Sequence, residues 1–124
     1  MQSIVPQAGR LQQALACYSK ALEAGAAPAV AAAIYLNRAL LHLKLGQPKA
    51  CIADCTASLE LAPDGDNFEL TVYRRAEARI ALGQLQEAMD DLTLVLNKSP
   101  NNAPCGALAR KVKAMMNQGA SSQS

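Results

Sequence analysis

The sequence predicts an all-α fold made of helix pairs stacked one on the next, and three observations carry that expectation. Of the 124 residues, 51% are hydrophobic but only 3% aromatic, with no Trp and one Phe. Alanine and leucine supply the apolar fraction, which favours helices, because sheets lean on β-branched and aromatic side chains. The second observation is a period. Gly9, Gly46 and Gly83 recur 37 residues apart, and Ala14, Cys51 and Ala88 follow at the same shift, as do Leu22, Leu59 and Leu96. The third is punctuation: a Gly follows one apolar run of each unit, and Pro63 or Pro100 follows the other. Self-similarity at a period of about 20–50 residues marks units that cannot bury their apolar faces alone and must stack.

Taken in order, the chain opens on half a unit, residues 8–25. Arg10 to Ala24 matches the second helix of the later units, and the preceding MQSIVPQA is too short for a full first helix. Leu11, Leu15, Tyr18 and Leu22 would then have no first helix to cover part of them, a face open to a partner or a second copy of the chain. The middle unit spans residues 29–63. Leu36, Ala39, Leu40 and Leu43 fall at helical spacing within Ala29 to Leu45, and Gly46 suits the left-handed stop that follows. Pro48 fits the first turn of a second helix running to about Leu61, with Cys51, Ile52, Cys55, Ser58 and Leu59 inward, and Pro63 blocks continuation. The third unit, residues 68–100, repeats this. Asp66 or Asn67 can cap its first helix, Phe68 to Leu82; Gly83 ends it; the second helix covers Gln84 to Asn97. A capping helix, 103–117, carries Leu108, Val112, Met115 and Met116, and residues 118–124 read as a frayed, flexible polar tail.

Other function classes recede on composition and spacing. Twelve basic residues against ten acidic leave a net charge of +2, too small a bias to argue for nucleic acid, and the Arg110-Lys111-x-Lys113 cluster reads as a solvated face. No apolar run reaches the roughly 18–20 residues of a bilayer span, and MQSIVPQAGR lacks the basic start and apolar block of a secretory signal. Cys17, Cys51, Cys55 and Cys105 read as small apolar core residues, which favours a reducing, cytoplasmic setting. His42 has no partner at telling spacing and reads as a surface or packing residue, and Asp90-Asp91 as a solvated charge pair. With no zinc spacing, phosphate loop or nucleophile motif, neither a metal, a cofactor nor an enzymatic role is expected.

Tyr35 to Pro63, YLNRALLHLKLGQPKACIADCTASLELAP, and Tyr73 to Pro100, YRRAEARIALGQLQEAMDDLTLVLNKSP, give the repeat an identity. Their order of small and large residues ending in Pro resembles the tetratricopeptide repeat, with three extra residues between units. The likeness runs from Gly9 to about Met116, and it implies a right-handed superhelix of antiparallel helix pairs. Ala39 and Ala76 stand where that family prefers Gly, and Cys51 and Ser58 at two other small positions; all are small enough for close crossing. Asn-Arg-Ala in one unit and Arg-Arg-Ala in the other are similar to the tetratricopeptide domains of heat-shock chaperone cofactors. Those grip a Glu-Glu-Val-Asp carboxyl terminus in a five-residue carboxylate clamp. The resemblance implies a clamp Asn at Asn37 and a clamp Arg at Arg74; Leu70 occupies the Lys position, and the two positions of the first helix have no counterpart. Lys44 and Arg38 are nearby cations able to substitute, although the stems of Arg38 and Arg75 would equally lie over a neighbouring helix with their heads in solvent. Leu40 and Tyr73 are candidate groove walls. Each lost charged donor would cost about 1.5–3 kcal/mol. The implied role is a non-enzymatic, co-chaperone-type module for an acidic peptide, with self-association through the first helix as the alternative.

Overall fold

Alanine- and leucine-rich stretches with small residues at helical spacing form helices throughout the computed structural model of the protein, which describes residues 7–122. In chain order these are α1 (Gln7–Glu23), α2 (Pro28–Lys44), α3 (Pro48–Leu61), α4 (Phe68–Ala81), α5 (Leu85–Lys98) and α6 (Ala103–Ser122), with no strand among the described residues. Each packs against its neighbours in sequence, and α2 also touches α4 directly. The even-numbered helices therefore lead the pairs along one side, and the odd-numbered helices return behind them.

The turns form as the punctuation predicts. Gly46 and Gly83 have φ of 72° and 76°, a region costly for any residue with a Cβ. At each, the glycine N–H donates three residues back, to Leu43 and Ile80, and the next N–H reaches the carbonyls of His42 and Arg79. This paired closure satisfies carbonyls that the helix end would otherwise orphan. A Cβ at either glycine would meet nothing within 4 Å, so the constraint is conformational alone. Pro28 and Pro48 sit in the first turns of α2 and α3, where a missing N–H costs nothing. At α6 the Asn102 side chain accepts from the Cys105 N–H at 3.0 Å.

Where helices cross, the core is built of small side chains. Ala39, Cys51, Cys55 and Ala78 are fully buried where α2, α3 and α4 meet. Val72, Ala76, Ala88, Leu92, Val95, Cys105 and Val112 join α4, α5 and α6. Burying a Leu or Val here contributes about 1.5–3 kcal/mol. The Ser58 hydroxyl donates to the Ala32 carbonyl at 2.8 Å, so a polar residue enters the core satisfied. Contact with the Cys51 thiol, reinforced by burial, pushes the Cys55 pKa up and keeps that thiol neutral.

Two polar networks tie the pairs together, and they correct the sequence reading. Asp91 is not solvated: it is 1% exposed and accepts both Arg75 Nη2 (2.7 Å) and Nε (3.1 Å), with Arg79 Nη1 at 2.8 Å. Arg75 Nη1 also donates to Thr56 on α3 at 3.2 Å. One repeat earlier, Arg38 grips buried Asp54 through Nη2 (2.7 Å) and Nε (2.8 Å) and donates Nη1 to Ser19 on α1 at 3.2 Å. His42 takes the place of Arg79, with Nε2 3.4 Å from Asp54 and Nδ1 2.8 Å from Gln47 Oε1. Each arginine thus bridges its own pair and the return helix before it, its head part-buried against a buried aspartate rather than free in solvent.

Other expectations shift as well. Cys17 is exposed on α1, unlike the three buried cysteines. Neither Asp66 nor Asn67 caps α4 with its side chain; the Thr71 hydroxyl instead donates to the Asn67 carbonyl at 2.7 Å. The last helix continues past Asn117 to Ser122 instead of fraying at residue 118, because extending an established helix through Gln and Ala costs little even with Gly119. Leu11, Leu15, Tyr18 and Leu22 are each half-buried on α1. The reading of Met1 to Pro6 as too short for a helix lies outside the described residues, as do residues 123–124 of the predicted tail.

Replacing Asp91 by Ala leaves two arginine heads without their buried acceptor and should cost about 3 kcal/mol in urea unfolding, with Asp54→Ala costing less, since His42 replaces the second arginine. Gly46→Ala and Gly83→Ala should each cost about 1 kcal/mol by the same measurement.

Candidate peptide-binding groove

The lead helices α2 and α4 present the predicted recognition residues side by side. One nitrogen of Arg74, Nη1, donates to the Leu36 carbonyl of α2 at 3.1 Å. Leu36 adjoins Asn37, so the guanidinium of α4 lies against the segment that carries the exposed Asn37 amide. The tether restrains the arginine while Nε and Nη2 make no hydrogen bond within the described residues. A fixed fork beside a neutral amide donor can replace the water shell of a carboxylate.

The other candidates separate into two groups. Lys44 is exposed in the last turn of α2, two turns from Asn37; Leu40 and Tyr73 are half-buried. Arg38 departs from the sequence expectation. Its fork is spent on Asp54 and Ser19, towards α1 and α3, and its guanidinium lies 5.4 Å from the Tyr35 ring centroid. Three of its five N–H donors are thus engaged within the helix stack. Leu36 belongs to the core, at 4% exposure. Ile80 packs on the α4–α6 core cluster and Leu43 on the one between α2 and α4.

Charge alternates along α4. Burial pushes the Glu77 carboxyl above its ordinary pKa, against the opposing pull of Arg74 and of Lys111 on α6. Burial, with Glu77 and Cys105 adding to it, raises the Tyr73 phenol. Leu70 is 43% exposed and borders a cavity of about 490 Å³ between α4 and the start of α6, together with Tyr73, Pro104 and Cys105. Sequence reasoning did not find this cavity, because its two walls lie more than thirty residues apart; the exposed leucine in a lysine position was the only trace of it. The arginine–aspartate networks were legible in principle, since Arg38 and Asp54 recur as Arg75 and Asp91 at the repeat shift. Among the described residues, no three His, Cys, Asp or Glu side chains gather as metal ligands, and no helix is long and apolar enough to cross a membrane.

Comparison with known proteins places this geometry in a family. Residues 32–64 match the tetratricopeptide repeat profile. Human peptidyl-prolyl cis-trans isomerase FKBP4 is 37% identical over 106 residues, which covers 76% of this chain and 22% of that protein. The chain spans between about a fifth and about a third of the length of the curated relatives it matches. Among solved structures, the second TPR domain of human RPAP3, determined in complex with the HSP70 peptide SGPTIEEVD, is 32% identical with a TM-score of 0.71, covering 85% of this chain and 82% of that one. The first TPR of Spaghetti (RPAP3), bound to the HSP90 peptide SRMEEVD, is 28% identical with a TM-score of 0.75, covering 88% and 82%. With the repeat profile, the helix-pair stack and the 32% identity to a TPR domain of which this chain covers 82% in agreement, the chain belongs to the tetratricopeptide repeat family.

Proposed function

We propose that this chain is a non-enzymatic interaction module of the co-chaperone type, working in the cytoplasm, that holds the acidic carboxyl terminus of a heat-shock chaperone across α2 and α4. The observation that carries the reading is Arg74 tethered to the Leu36 carbonyl beside Asn37. An arginine already restrained by the scaffold loses less rotamer freedom when it meets a carboxylate, so more of its charged hydrogen bonding is realised as affinity. Lys44 adds long-range attraction from the end of α2, while Leu40 and Tyr73 supply the apolar walls on which an extended peptide rests. The complexes of RPAP3 domains with SRMEEVD and SGPTIEEVD support this choice of ligand.

The mechanism is binding alone. The terminal carboxylate takes the free nitrogens of Arg74, and the Asn37 amide donates to a second oxygen. Arg38 contributes indirectly, through its grip on Asp54, by fixing where α2 stands relative to α3.

Calorimetric titration with a peptide ending in Glu-Glu-Val-Asp should give saturable heat that weakens as salt rises. Arg74→Ala should reduce affinity about tenfold to hundredfold and Asn37→Ala about threefold to tenfold. No heat, and no movement of the Arg74 NMR signals at millimolar peptide, would sink the chaperone reading.

A further inference from the structure

Glu77 lies three residues beyond Arg74 on α4, a spacing that sets side chains next to each other, with Cβ atoms about 5–6 Å apart. It is half-buried, and among the described residues its carboxylate makes no hydrogen bond and no ion pair. Exposed Lys111 comes within its electrostatic reach from α6, and the buried Cys51 thiol from α3. The register agrees: Leu70 and Pro104 border one cavity, and two turns further along the same two helices come Glu77 and Lys111. Tyr73, on α4 itself, feels the same carboxylate. The other helices against α4 bring Lys44, exposed at the end of α2, Arg38, engaged with Asp54, and Asp91 of α5, engaged with Arg75 and Arg79.

A carboxylate delivered to Arg74 therefore arrives one helical turn from a second carboxylate. Like charges this close, on a half-buried face, oppose each other's ionisation. The incoming carboxylate has the free nitrogens of Arg74 and the Asn37 amide to hold its charge, whereas Glu77 has no donor in contact. The smaller cost is for Glu77 to take a proton. Burial already holds its pKa above the ordinary carboxylate range, so it is neutralised at a milder pH than a ligand carboxylate beside Arg74. Arg74 and Lys111 then face the tail without a counter-charge between them. The sign follows from linkage. Glu77 binds its proton more readily with the tail in place, so by reciprocity the proton strengthens tail binding, and affinity rises as pH falls. Without Glu77 the sign reverses, because protonating a ligand carboxylate removes its attraction to Arg74.

We propose that Glu77 is a removable counter-charge in the groove, one that couples capture of an acidic tail to uptake of a proton and so sets the affinity by pH. The proton comes from solvent and adds to the Glu77 carboxylate to give the neutral acid; no other bond changes. The inference rests on the tail-capture reading above.

Calorimetry of the full chain with acetyl-Glu-Glu-Val-Asp tests this, the acetyl cap removing the peptide's own amine. From about pH 7.5 down to about pH 5.5, at constant ionic strength and above the ordinary range of ligand carboxylates, affinity should rise about threefold to tenfold. Buffers of unequal ionisation enthalpy should give unequal heats, in the sense of proton uptake. Glu77→Gln, with its helicity checked by circular dichroism, should bind at the higher pH about as tightly as the wild type does at the lower, with heats that ignore the buffer. His42→Gln, which removes the chain's single imidazole at the α2–α3 joint, should keep the wild-type rise. The Glu77 carboxyl carbon signal reads the coupling without a variant: its titration midpoint should move to higher pH when peptide saturates the groove. An unmoved midpoint overturns the proposal, as does a rise that survives Glu77→Gln or is lost in His42→Gln. Saturable binding that stays level or weakens on acidification overturns the proton coupling and leaves tail capture standing. No heat at either pH, in wild type and Glu77→Gln alike, overturns tail capture and the coupling with it.

Discussion

In each pair, a buried carboxylate on the return helix holds an arginine fork from the lead helix, and the same arginine reaches a hydroxyl on the return helix before it. Arg38 joins Asp54 and Ser19; Arg75 joins Asp91 and Thr56. Small core residues such as Ala39 and Ala76 let the helices approach closely, but alanine faces specify rotation and register poorly. A bidentate arginine–carboxylate pair has one good geometry. Breaking it would strand a charge out of water, so register errors that lose the pair are strongly disfavoured. The pitch from pair to pair, and with it the spacing of α2, α4 and α6, follows from that repeated bond.

The proposed recognition surface inherits this spacing. Asn37 precedes Arg38, and Arg74 precedes Arg75, so each outward-facing polar group sits next to an inward-facing anchor. The anchor's grip on the aspartate orients the helix turn from which its neighbour projects. Arg74 receives a second restraint from the Leu36 carbonyl, and the groove is set before any ligand arrives. The change in character along α4, from Arg74 to the Leu70 cavity, comes from side chains alone; the backbone that carries them follows the repeat.

Much of this was legible in the chain. The glycines at 46 and 83, the prolines and the 37-residue shift predict the helices to within a few residues, because turn chemistry is local and the repeat supplies independent readings of the same signal. The Asn-Arg-Ala and Arg-Arg-Ala segments, one repeat shift apart, also point to the closeness of α2 and α4 that the Arg74–Leu36 hydrogen bond displays. The destinations of Arg38 and Asp91 could not be read with the same ease. A charged residue on a helix face points to solvent unless a partner waits sixteen residues away, and only the paired recurrence of arginine and aspartate hints at that. Cys17 resembles the buried cysteines in sequence but lies on α1, which has fewer neighbours. The α4–α6 cavity depends on two distant segments meeting, which no local pattern encodes.

His42 standing where the next pair has Arg79 makes the two joints of the stack unequal. Asp91 has two arginines around it; Asp54 has one arginine and an imidazole at 3.4 Å. Among its residues of described burial, α1 buries none fully, whereas α5 seals four, including Leu92 and Val95. Opening of a stacked array begins where the interface energy is smallest. Between these two joints, the one around Asp54 therefore gives way before the one around Asp91, so the surface that carries Arg74 stays ordered when the α2–α3 contact loosens.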